Sequence, residues 1–179
     1  MSTTPWSPRR LHAVDHAQIE ALAGVLIDCV EGGASVSFML PLSAERADGF
    51  WRRVADGAAT GERVVLVAED DAGIAGTVQL VLAQPENQPH RADVAKMLVH
   101  RRARRQGIAQ RLLAAVEEQA RAHGKTVLVL DTVTGSAAER LYARCGWQRV
   151  GEIPNYALMP DGALCSTTYF HKQIAPRKA

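Results

Sequence analysis

The stretch Lys96–Glu118, KMLVHRRARRQGIAQRLLAAVEE, carries the most informative pattern of the chain. An apolar run predicts a strand, the polar turn 100–107 follows, and the remainder predicts a helix. Backbone N–H groups and the positive end of the helix dipole therefore converge beside Gly107, where Arg104 and Arg105 add positive charge. The glycine lets an anion approach the main chain. The stretch predicts an anion-binding loop that is neither a Walker A loop nor a dinucleotide GxGxxG motif.

Length and composition describe an ordinary globular chain. Its 179 residues are 47% hydrophobic and 22% charged, which suits about one domain. With 21 basic and 19 acidic side chains the formal net charge is +2, too balanced for a general nucleic-acid coat or a membrane-surface binder. No apolar run suits a membrane span, and MSTTPWSPRR lacks a signal-peptide core. We expect a single domain over 1–179, with an ordered core at about 8–172, in the cytoplasm.

The basic run 100–105 has three competing interpretations. Such runs are usually solvated surface, and one before a helix can also form a nucleic-acid patch. The spacing of the glycine and the preceding strand favour the phosphate-type loop, so no nucleic-acid partner is expected.

Cysteines and histidines give no sign of a metal or disulfide framework. Cys29, Cys145 and Cys165 are widely separated, without CxxC spacing, and predict free thiols. Cys145 precedes Gly146 at a predicted helix end, where packing is favoured over a nucleophilic role. The histidines have no metal-ligand spacing, so no metal is expected.

Two helices are predicted before the main run of strands. Asp15 and Gln18 form a capping-box pattern for the first, and Ser43 begins the second, which ends at Gly61. Between them the segment 32–41, GGASVSFMLP, combines flexible glycines with apolar side chains, which a purely solvated linker would not need.

The remaining pattern predicts strands and two more helices. Strands are expected at 64–68, 76–82, 94–99, 126–130, 148–152 and 165–172, with a further short one near 9–13. The run 126–130 is apolar throughout its body, VLVL, and is expected to be buried on both faces. Ser136 and Glu139 form a capping box for the last helix. This order predicts a mixed α/β domain around one sheet.

The loop resembles a known family signature. The run 104–109, RRQGIA, resembles the Arg/Gln-x-x-Gly-x-Gly/Ala motif of the GNAT superfamily of N-acetyltransferases, and an apolar strand and the helix 137–147, AAERLYARCGW, follow in the superfamily's order. The segments GGASVSFM, VAEDD, KMLV, RVGEIPNY and PDG further resemble the tabtoxin-resistance group, whose enzymes acetylate a β-lactam-containing amino-acid toxin. That finer resemblance runs from about residue 10 to about residue 172.

The resemblance implies a fold and a cosubstrate. The expected fold is α/β (α+β), with a mixed, mostly antiparallel central sheet of about six to seven strands and about four helices. The cosubstrate is acetyl-coenzyme A. Its expected binding residues are Met97, Leu98, Val99, Arg104, Arg105, Gln106, Gly107, Ile108, Ala109, Ser136 and Tyr142. Where many GNAT enzymes place an asparagine before the last helix, this chain has 132–136, TVTGS, whose hydroxyls are expected to take its place.

The chemistry requires a base and benefits from an acid. An aliphatic ammonium, with a pKa of about 10, must lose a proton before it attacks a thioester, and the departing thiolate must gain one. On the resemblance Tyr142 is the candidate acid; the alternative is an aromatic that only packs. Asp131 ends a buried strand, where open sheets place their ligand crevice, and the resemblance makes it the candidate base or orienting group; the alternative is that it merely caps the next turn. Asp93 is a second candidate base.

The acceptor side is predicted at GGASVSFM. This segment is expected to fold over a small ligand, with Phe38 and Met39 as an apolar wall, although the two side chains could instead pack into the core between the helices. An acceptor ammonium would be held by acidic groups. The expected substrate-binding residues are Glu31, Ser35, Phe38 and Asp131.

The resemblance implies transfer of acetyl from acetyl-coenzyme A to a primary amine of a small amino-acid-like or peptide-like molecule, such as a β-lactam-type toxin, by direct attack in a ternary complex. Acetylation of a protein N-terminus or lysine is the alternative enzymatic function. A regulatory module that binds acetyl-coenzyme A without turnover is the third hypothesis. The oligomeric state stays open, with a homodimer as one candidate.

Overall fold

Seven strands and four helices lie within residues 6–175, the part of the chain that the computed structural model describes. The strands are β1 (Arg9–Leu11), β2 (Arg63–Asp70), β3 (Gly73–Val81), β4 (Arg91–Val99), β5 (Val127–Val133), β6 (Gln148–Leu158) and β7 (Leu164–Gln173). The helices are α1 (His16–Glu31), α2 (Ala44–Ala59), α3 (Ile108–Ala122) and α4 (Ala137–Arg144), with a 3₁₀ turn at Arg101–Ala103.

All seven strands belong to one sheet, in the order β1-β2-β3-β4-β5-β7-β6. Every neighbouring pair is antiparallel except β4 and β5, which are parallel and joined through α3. The predicted fold class, a mixed and mostly antiparallel sheet with four helices, is confirmed.

Helices cover the two faces of the sheet unequally. Along β2, Val64 and Leu66 face one core, which α3 helps to build, while Val65 and Val67 face a second core under α1 and α2. This alternation follows from the two-residue period of a strand. The helices α1 and α2 pack on β2, β3 and β4, so they leave their face of β5, β7 and β6 uncovered.

That uncovered face corrects the prediction for β5. We expected 126–130 to be buried on both faces, but only Leu128 and Leu130 are buried, while Val127 and Val129 are partly exposed. The strand also continues to Val133, beyond its predicted end. The expectation was wrong because an apolar run does not reveal whether a helix covers the second face.

The predicted loop around Pro154 is a strand. We expected the fifth main strand to end near residue 152, yet β6 continues to Leu158 with irregular pairing between Ile153 and Ala157. Because β6 lies at the edge of the sheet, the missing N–H of a proline is tolerated there.

Candidate active site

A gap opens between the two parallel strands. β4 and β5 are paired at Arg91–Val127, Ala92–Leu128 and Asp93–Val129, and no later residues of the two strands pair with each other. β5 instead stays with β7, while the register of β4 on β3 shifts close to Lys96, whose φ is 51°. Open α/β sheets bind ligands at such a divergence beyond the carboxyl ends of parallel strands.

At one side of the gap lies a small pocket of about 300 Å³, which we call the loop pocket. Its lining comes from the turn, from the start of α3 and from α4: Val99, Ala103, Arg104, Arg105, Gly107, Ile108, Ala109, Gln110, Ala137, Leu141 and Arg144.

The start of α3 has free backbone donors. The other three helices have N-cap side chains, Asp15, Ser43 and Ser136, that accept a backbone N–H of the first turn. The N-cap of α3 is Gly107, with φ 75° and no side-chain cap. A Cβ at Gly107 would meet no atom within 4 Å, so the space beside it is open. The start of α3 therefore presents uncapped N–H groups beside open space, which is the geometry of helix termini that bind anions.

The turn before α3 is fixed by hydrogen bonds to the rest of the fold. Both the backbone N and Nε of Arg101 donate to the Asp28 carboxylate on α1, each at 2.8 Å. Burial alone would raise the pKa of Asp28, but these hydrogen bonds outweigh it and hold the pKa below its usual value. Arg104 Nε donates to the Val99 carbonyl at 3.0 Å.

A larger cleft of about 590 Å³ is lined by the segment 33–39 and by residues of β4, β5, α4, β6 and β7; we call it the sheet cleft. Its lining consists of 33–39, 94–97, 131–133 and 156–159 together with Ser136, Ala138, Tyr142, Cys165 and Thr167. Within this lining the charged side chains are Lys96 and Asp131. The cleft therefore presents one cation and one anion to a bound molecule.

Tyr142 on α4 lines the sheet cleft although the residue is only 5% exposed. Its ring packs edge to face against Trp147, with centroids 6.1 Å apart, and lies 6.0 Å from the centroid of Phe170. Burial, with a smaller effect of Asp131, raises the pKa of Tyr142 far above its usual value. The hydroxyl therefore keeps its proton at neutral pH, as a proton donor must. Tyr142 therefore both packs in the core and lines the cleft.

Asp131 lies within β5, and its exposed carboxylate faces the sheet cleft. It accepts from Thr167 Oγ1 at 3.3 Å. The alternative that it caps the turn after the strand is wrong, because the strand continues two residues further. Opposite it on β7 is Tyr169, whose hydroxyl is 2.7 Å from that of Tyr156. This hydrogen bond, with burial, raises the pKa of Tyr169 to about 12.

Two other acidic candidates lie outside the sheet cleft. Asp93 is held by Arg91 and accepts from Gln84 Nε2 at 3.0 Å, near the paired start of β4 where the gap has not yet opened. Glu31, at the end of α1, is exposed and lies 3.6 Å from Arg101 Nη2, toward the turn rather than the cleft. The structure does not bring either carboxylate together with Asp131 and Tyr142.

The segment GGASVSFM lines the sheet cleft, as predicted. Ser35 Oγ donates to the Leu158 carbonyl at 2.7 Å, which ties the segment to β6. Phe38 lines the cleft and also packs edge to face on Phe50, with ring centroids 5.3 Å apart. Phe38 therefore both forms part of the cleft wall and packs between the helices.

The remaining candidates divide among three places. Val99, Arg104, Arg105, Gly107, Ile108 and Ala109 line the loop pocket, and Met97 and Ser136 line the sheet cleft. The Leu98 side chain is 2% exposed and belongs to the core, so only its backbone could face a ligand. Gln106 Oε1 accepts from Trp6 Nε1 at 2.9 Å and is not part of either pocket lining.

The sequence interpretation missed four polar residues of this region, one of which is Thr167, the hydrogen-bond donor to Asp131. The other three also line the sheet cleft and were not singled out: Lys96, Ser37 and Tyr156. Lys96 had a detectable signal, since it is a lone charge within an apolar strand. The position of Tyr156 depended on β6 continuing past Pro154, which the sequence did not indicate.

Residues 6–175 show no metal cluster, no disulfide and no membrane-spanning helix. No cluster of three or more His, Cys, Asp or Glu side chains in this range is arranged to hold a metal ion. All three cysteines are free. None of the helices described here combines the length and apolar character needed to cross a bilayer.

Comparisons with known proteins agree with this architecture. A curated N-acetyltransferase from Azospirillum brasilense, encoded in the hisH-hisA intergenic region, is 34% identical over 68% of this chain and 72% of its own length. A ribosomal-protein-alanine N-acetyltransferase from Brucella melitensis superposes with a TM-score of 0.78 at 23% identity, covering 93% of this chain and 99% of that one. The structure of yncA from Salmonella typhimurium with its cofactor acetyl-CoA superposes with a TM-score of 0.77 at 18% identity, covering 96% and 95% of the two chains.

The family assignment rests on sequence. The model of the acetyltransferase (GNAT) family matches residues 37–147, more than half of the chain, which includes the loop pocket and Tyr142. Together with the Azospirillum relative, this match shows that the chain belongs to the GNAT family of acetyltransferases.

Proposed function

We propose that this acetyltransferase transfers acetyl from acetyl-coenzyme A to the primary amine of a small amino-acid-like molecule, by direct attack in a ternary complex. The observation that carries the proposal is the position of α4 between the two pockets. Its residues Ala137, Leu141 and Arg144 line the loop pocket, while Ala138 and Tyr142 line the sheet cleft. One helix thus connects an anion site with a cleft that carries a carboxylate.

The loop pocket fits the pyrophosphate of acetyl-coenzyme A. The free N–H groups at the start of α3 and the arginines beside them supply donors and positive charge, and the open space at Gly107 leaves room for the anion. The pantetheine arm would follow the unpaired edge of β4, at Met97, Leu98 and Val99. Acetyl-coenzyme A supplies an acetyl thioester whose sulfur leaves as a thiolate.

Asp131 is proposed to hold the acceptor amine and take its proton. Its carboxylate faces the sheet cleft and is free of a salt bridge within the described residues, so it can accept from an ammonium group. Asp93, paired with Arg91, is the weaker candidate base. Most of the remaining acceleration would come from holding amine and thioester together.

Two further groups would act on the thioester side. Backbone N–H groups of β4 beyond Asp93 have no partner on β5 and could stabilise negative charge on the acetyl oxygen. Tyr142, protonated because its pKa is raised, would give its proton to the departing thiolate. The volume of the sheet cleft, about 590 Å³, is that of an ordinary small-molecule site.

A toxin or antibiotic as the acceptor, and a role in resistance, rest on the resemblance to the tabtoxin-resistance group. The alternative is a protein N-terminus, which the name of the Brucella neighbour suggests for that protein.

A homodimer also stays a prediction. The edge strand β6 exposes Val150, Ile153 and Tyr156, which could pack against a second copy, and sedimentation velocity would test this association. The cytoplasm is the proposed location.

A substrate screen tests the acceptor class. Purified protein is incubated with acetyl-coenzyme A and single amines, and released thiol is measured. Free amino acids, dipeptides and amino-acid toxins should include good acceptors, while peptides that mimic protein N-termini should be poor. Turnover of those peptides with every small amine inert would favour the protein-acetylating alternative. Release of thiol when no amine is present would support neither a small-amine acceptor nor a protein acceptor.

Substitution of Gly107 tests the loop pocket. Gly107→Val fills the open space and strains a residue with φ 75°, so the affinity for acetyl-coenzyme A should fall at least tenfold, roughly 1.4 kcal/mol. Gly124→Val is the matched control, because Gly124 lies at the other end of α3, has φ 69° and also has no atom within 4 Å of its Cβ position. If calorimetry gives both variants the wild-type affinity, the loop does not bind acetyl-coenzyme A.

A further inference from the structure

We propose that Lys96 binds a carboxylate group of the acceptor, so that the enzyme selects acceptors in which a free carboxylate accompanies the reacting amine. This inference rests on the proposed function and specifies its substrate class. The inference assigns a binding role to a side chain of β4, the strand along which the pantetheine arm is proposed to lie at Met97, Leu98 and Val99.

The backbone directs Lys96 into the sheet cleft. Its φ of 51° coincides with the irregular pairing of β4 on β3, between the pairs Gln79–Ala95 and Thr77–Leu98. Such a bulge re-aims a side chain relative to a regular strand. The Lys96 ammonium donates to Ser37 Oγ at 3.1 Å and lies 5.8 Å from the centroid of the Phe50 ring.

Among the three lysines in the described residues, Lys96 has the weakest internal compensation. Lys172 Nζ lies 2.7 Å from Glu117 Oε1 and donates to the Cys145 carbonyl at 2.8 Å. Lys125 Nζ donates to the Pro89 carbonyl at 2.8 Å. Lys96 has one hydroxyl partner, and no salt bridge joins it to any described residue. A partly buried ammonium of this kind is stabilised by an anion that binds beside it.

The surroundings of Lys96 add positive charge. Arg63 donates to Gln79 Oε1 at 3.0 Å, and its Nε is buried without a partner. Burial lowers the pKa of Lys96, Asp131 opposes this effect, and Arg63 adds to it. A carboxylate bound beside Lys96 would raise its pKa again and stabilise the ammonium form.

The two charged groups of the sheet cleft match the two charges of an amino acid. Asp131 is placed to receive the ammonium and Lys96 the carboxylate, on the facing strands β5 and β4 where they diverge. A bound zwitterion would thus be oriented by both ends, with its amine at the Asp131 and Tyr142 side. An amine without a carboxylate would leave Lys96 uncompensated.

The test compares each acceptor with its own carboxamide. Amino acids and dipeptides found to be substrates, and their amides, are assayed with wild type, Lys96→Met, Lys96→Arg and Arg52→Met. We expect wild type to prefer the carboxylates in kcat/KM. Lys96→Met should lose that preference about tenfold or more, through KM, with little change for the amides. Lys96→Arg should keep it. Arg52→Met, which removes one exposed charge from α2, should match wild type.

Two outcomes would overturn the inference while leaving acetyl transfer to a small amine intact, and the second would also move the role of base away from Asp131. One is a wild-type enzyme that acetylates amides as well as carboxylates. The other is a loss of kcat for both acceptor types in Lys96→Met and in Lys96→Arg, which would make a neutral Lys96 the base, since arginine keeps the charge but cannot give up its proton at these pH values.

A second readout does not require turnover. The sequence has only four lysines, so labelling of Lys96 by an amine-directed reagent can be followed by peptide mass spectrometry in the presence of coenzyme A. Dipeptides should protect Lys96 and dipeptide amides should not, with Lys125 and Lys172 as internal references. Equal protection by both, or by neither, would contradict carboxylate binding even if the screen yields no acceptor and the proposed function fails.

Discussion

The loop pocket and the sheet cleft adjoin the same helix but are built in different ways. The loop pocket comes from a contiguous turn, residues 99–110, with one wall from α4, and its donors are main-chain N–H groups. The sheet cleft comes from four separate stretches between residues 33 and 167, and its charges are side chains. A site made of backbone tolerates many changes of side chain, whereas a site made of side chains changes its ligand when one residue changes. Cofactor binding and acceptor choice should therefore respond to different substitutions.

Tyr142→Phe gives the largest effect expected in the sheet cleft. It removes one hydroxyl and little volume, so turnover should fall by roughly 10² while the affinity for acetyl-coenzyme A is nearly retained. Steady-state kinetics and calorimetry measure the two quantities. Equal turnover would leave Tyr142 a packing residue on Trp147 and Phe170.

The pH dependence of kcat tests the same assignment of Tyr142 as the acid. Because the pKa of Tyr142 is raised, the acid stays protonated to a higher pH than an ordinary tyrosine. The kcat of wild type should therefore show no loss as the pH passes about 10, the ordinary tyrosine pKa. A decline centred there, absent in Tyr142→Phe, would contradict the raised pKa.

The Asp131→Asn variant shows whether Asp131 removes a proton from the acceptor amine or only orients that amine. If the carboxylate takes the proton of the amine, the loss of turnover should be about tenfold or more at low pH and should shrink as the pH approaches the amine pKa of about 10, where neutral amine is abundant. Asp71→Asn, an exposed carboxylate in the turn between β2 and β3, is the control. A defect of constant size at every pH would instead assign Asp131 to binding.

Phe38→Ala has the smallest predicted effect. Losing part of an apolar wall should raise the acceptor KM about fivefold, roughly 1 kcal/mol, and leave the affinity for acetyl-coenzyme A unchanged. Because Phe38 also packs on Phe50, the unfolding midpoint must be measured as well. Phe38→Leu keeps an apolar wall and should stay close to wild type. A variant that merely unfolds would show that the core role dominates.

The difference between the pockets also explains what the sequence could predict. The loop, Gly107 and the caps at Asp15, Ser43 and Ser136 depend on neighbours within a few residues, and the structure has each of them as expected. Lys96 depends on a bulge that only the pairing of β4 on β3 defines. Long-range pairing is not encoded in local periodicity, so acceptor-side residues are harder to find than cofactor-side ones.

The exclusion of Asp93 and Glu31 from the sheet cleft has the same origin. Asp93 is expected near the site because it begins the preceding strand, and Glu31 because it enters the segment GGASVSFM, but position along the chain does not show which group a carboxylate meets. The partner that each carboxylate meets, Arg91 or Arg101, becomes known only once the strands and α1 are packed.

The central claim is that acetyl passes directly from a cosubstrate anchored at the loop pocket to an amine in the sheet cleft. A covalent route has a concrete candidate, since the free thiol of Cys165 lines the same cleft. Initial rates over a matrix of acetyl-coenzyme A and acceptor concentrations distinguish the two. Direct transfer in a ternary complex predicts reciprocal plots that intersect, in wild type and in Cys165→Ser alike. Parallel lines in wild type, with turnover lost in Cys165→Ser, would show an acetylated enzyme intermediate and contradict the account.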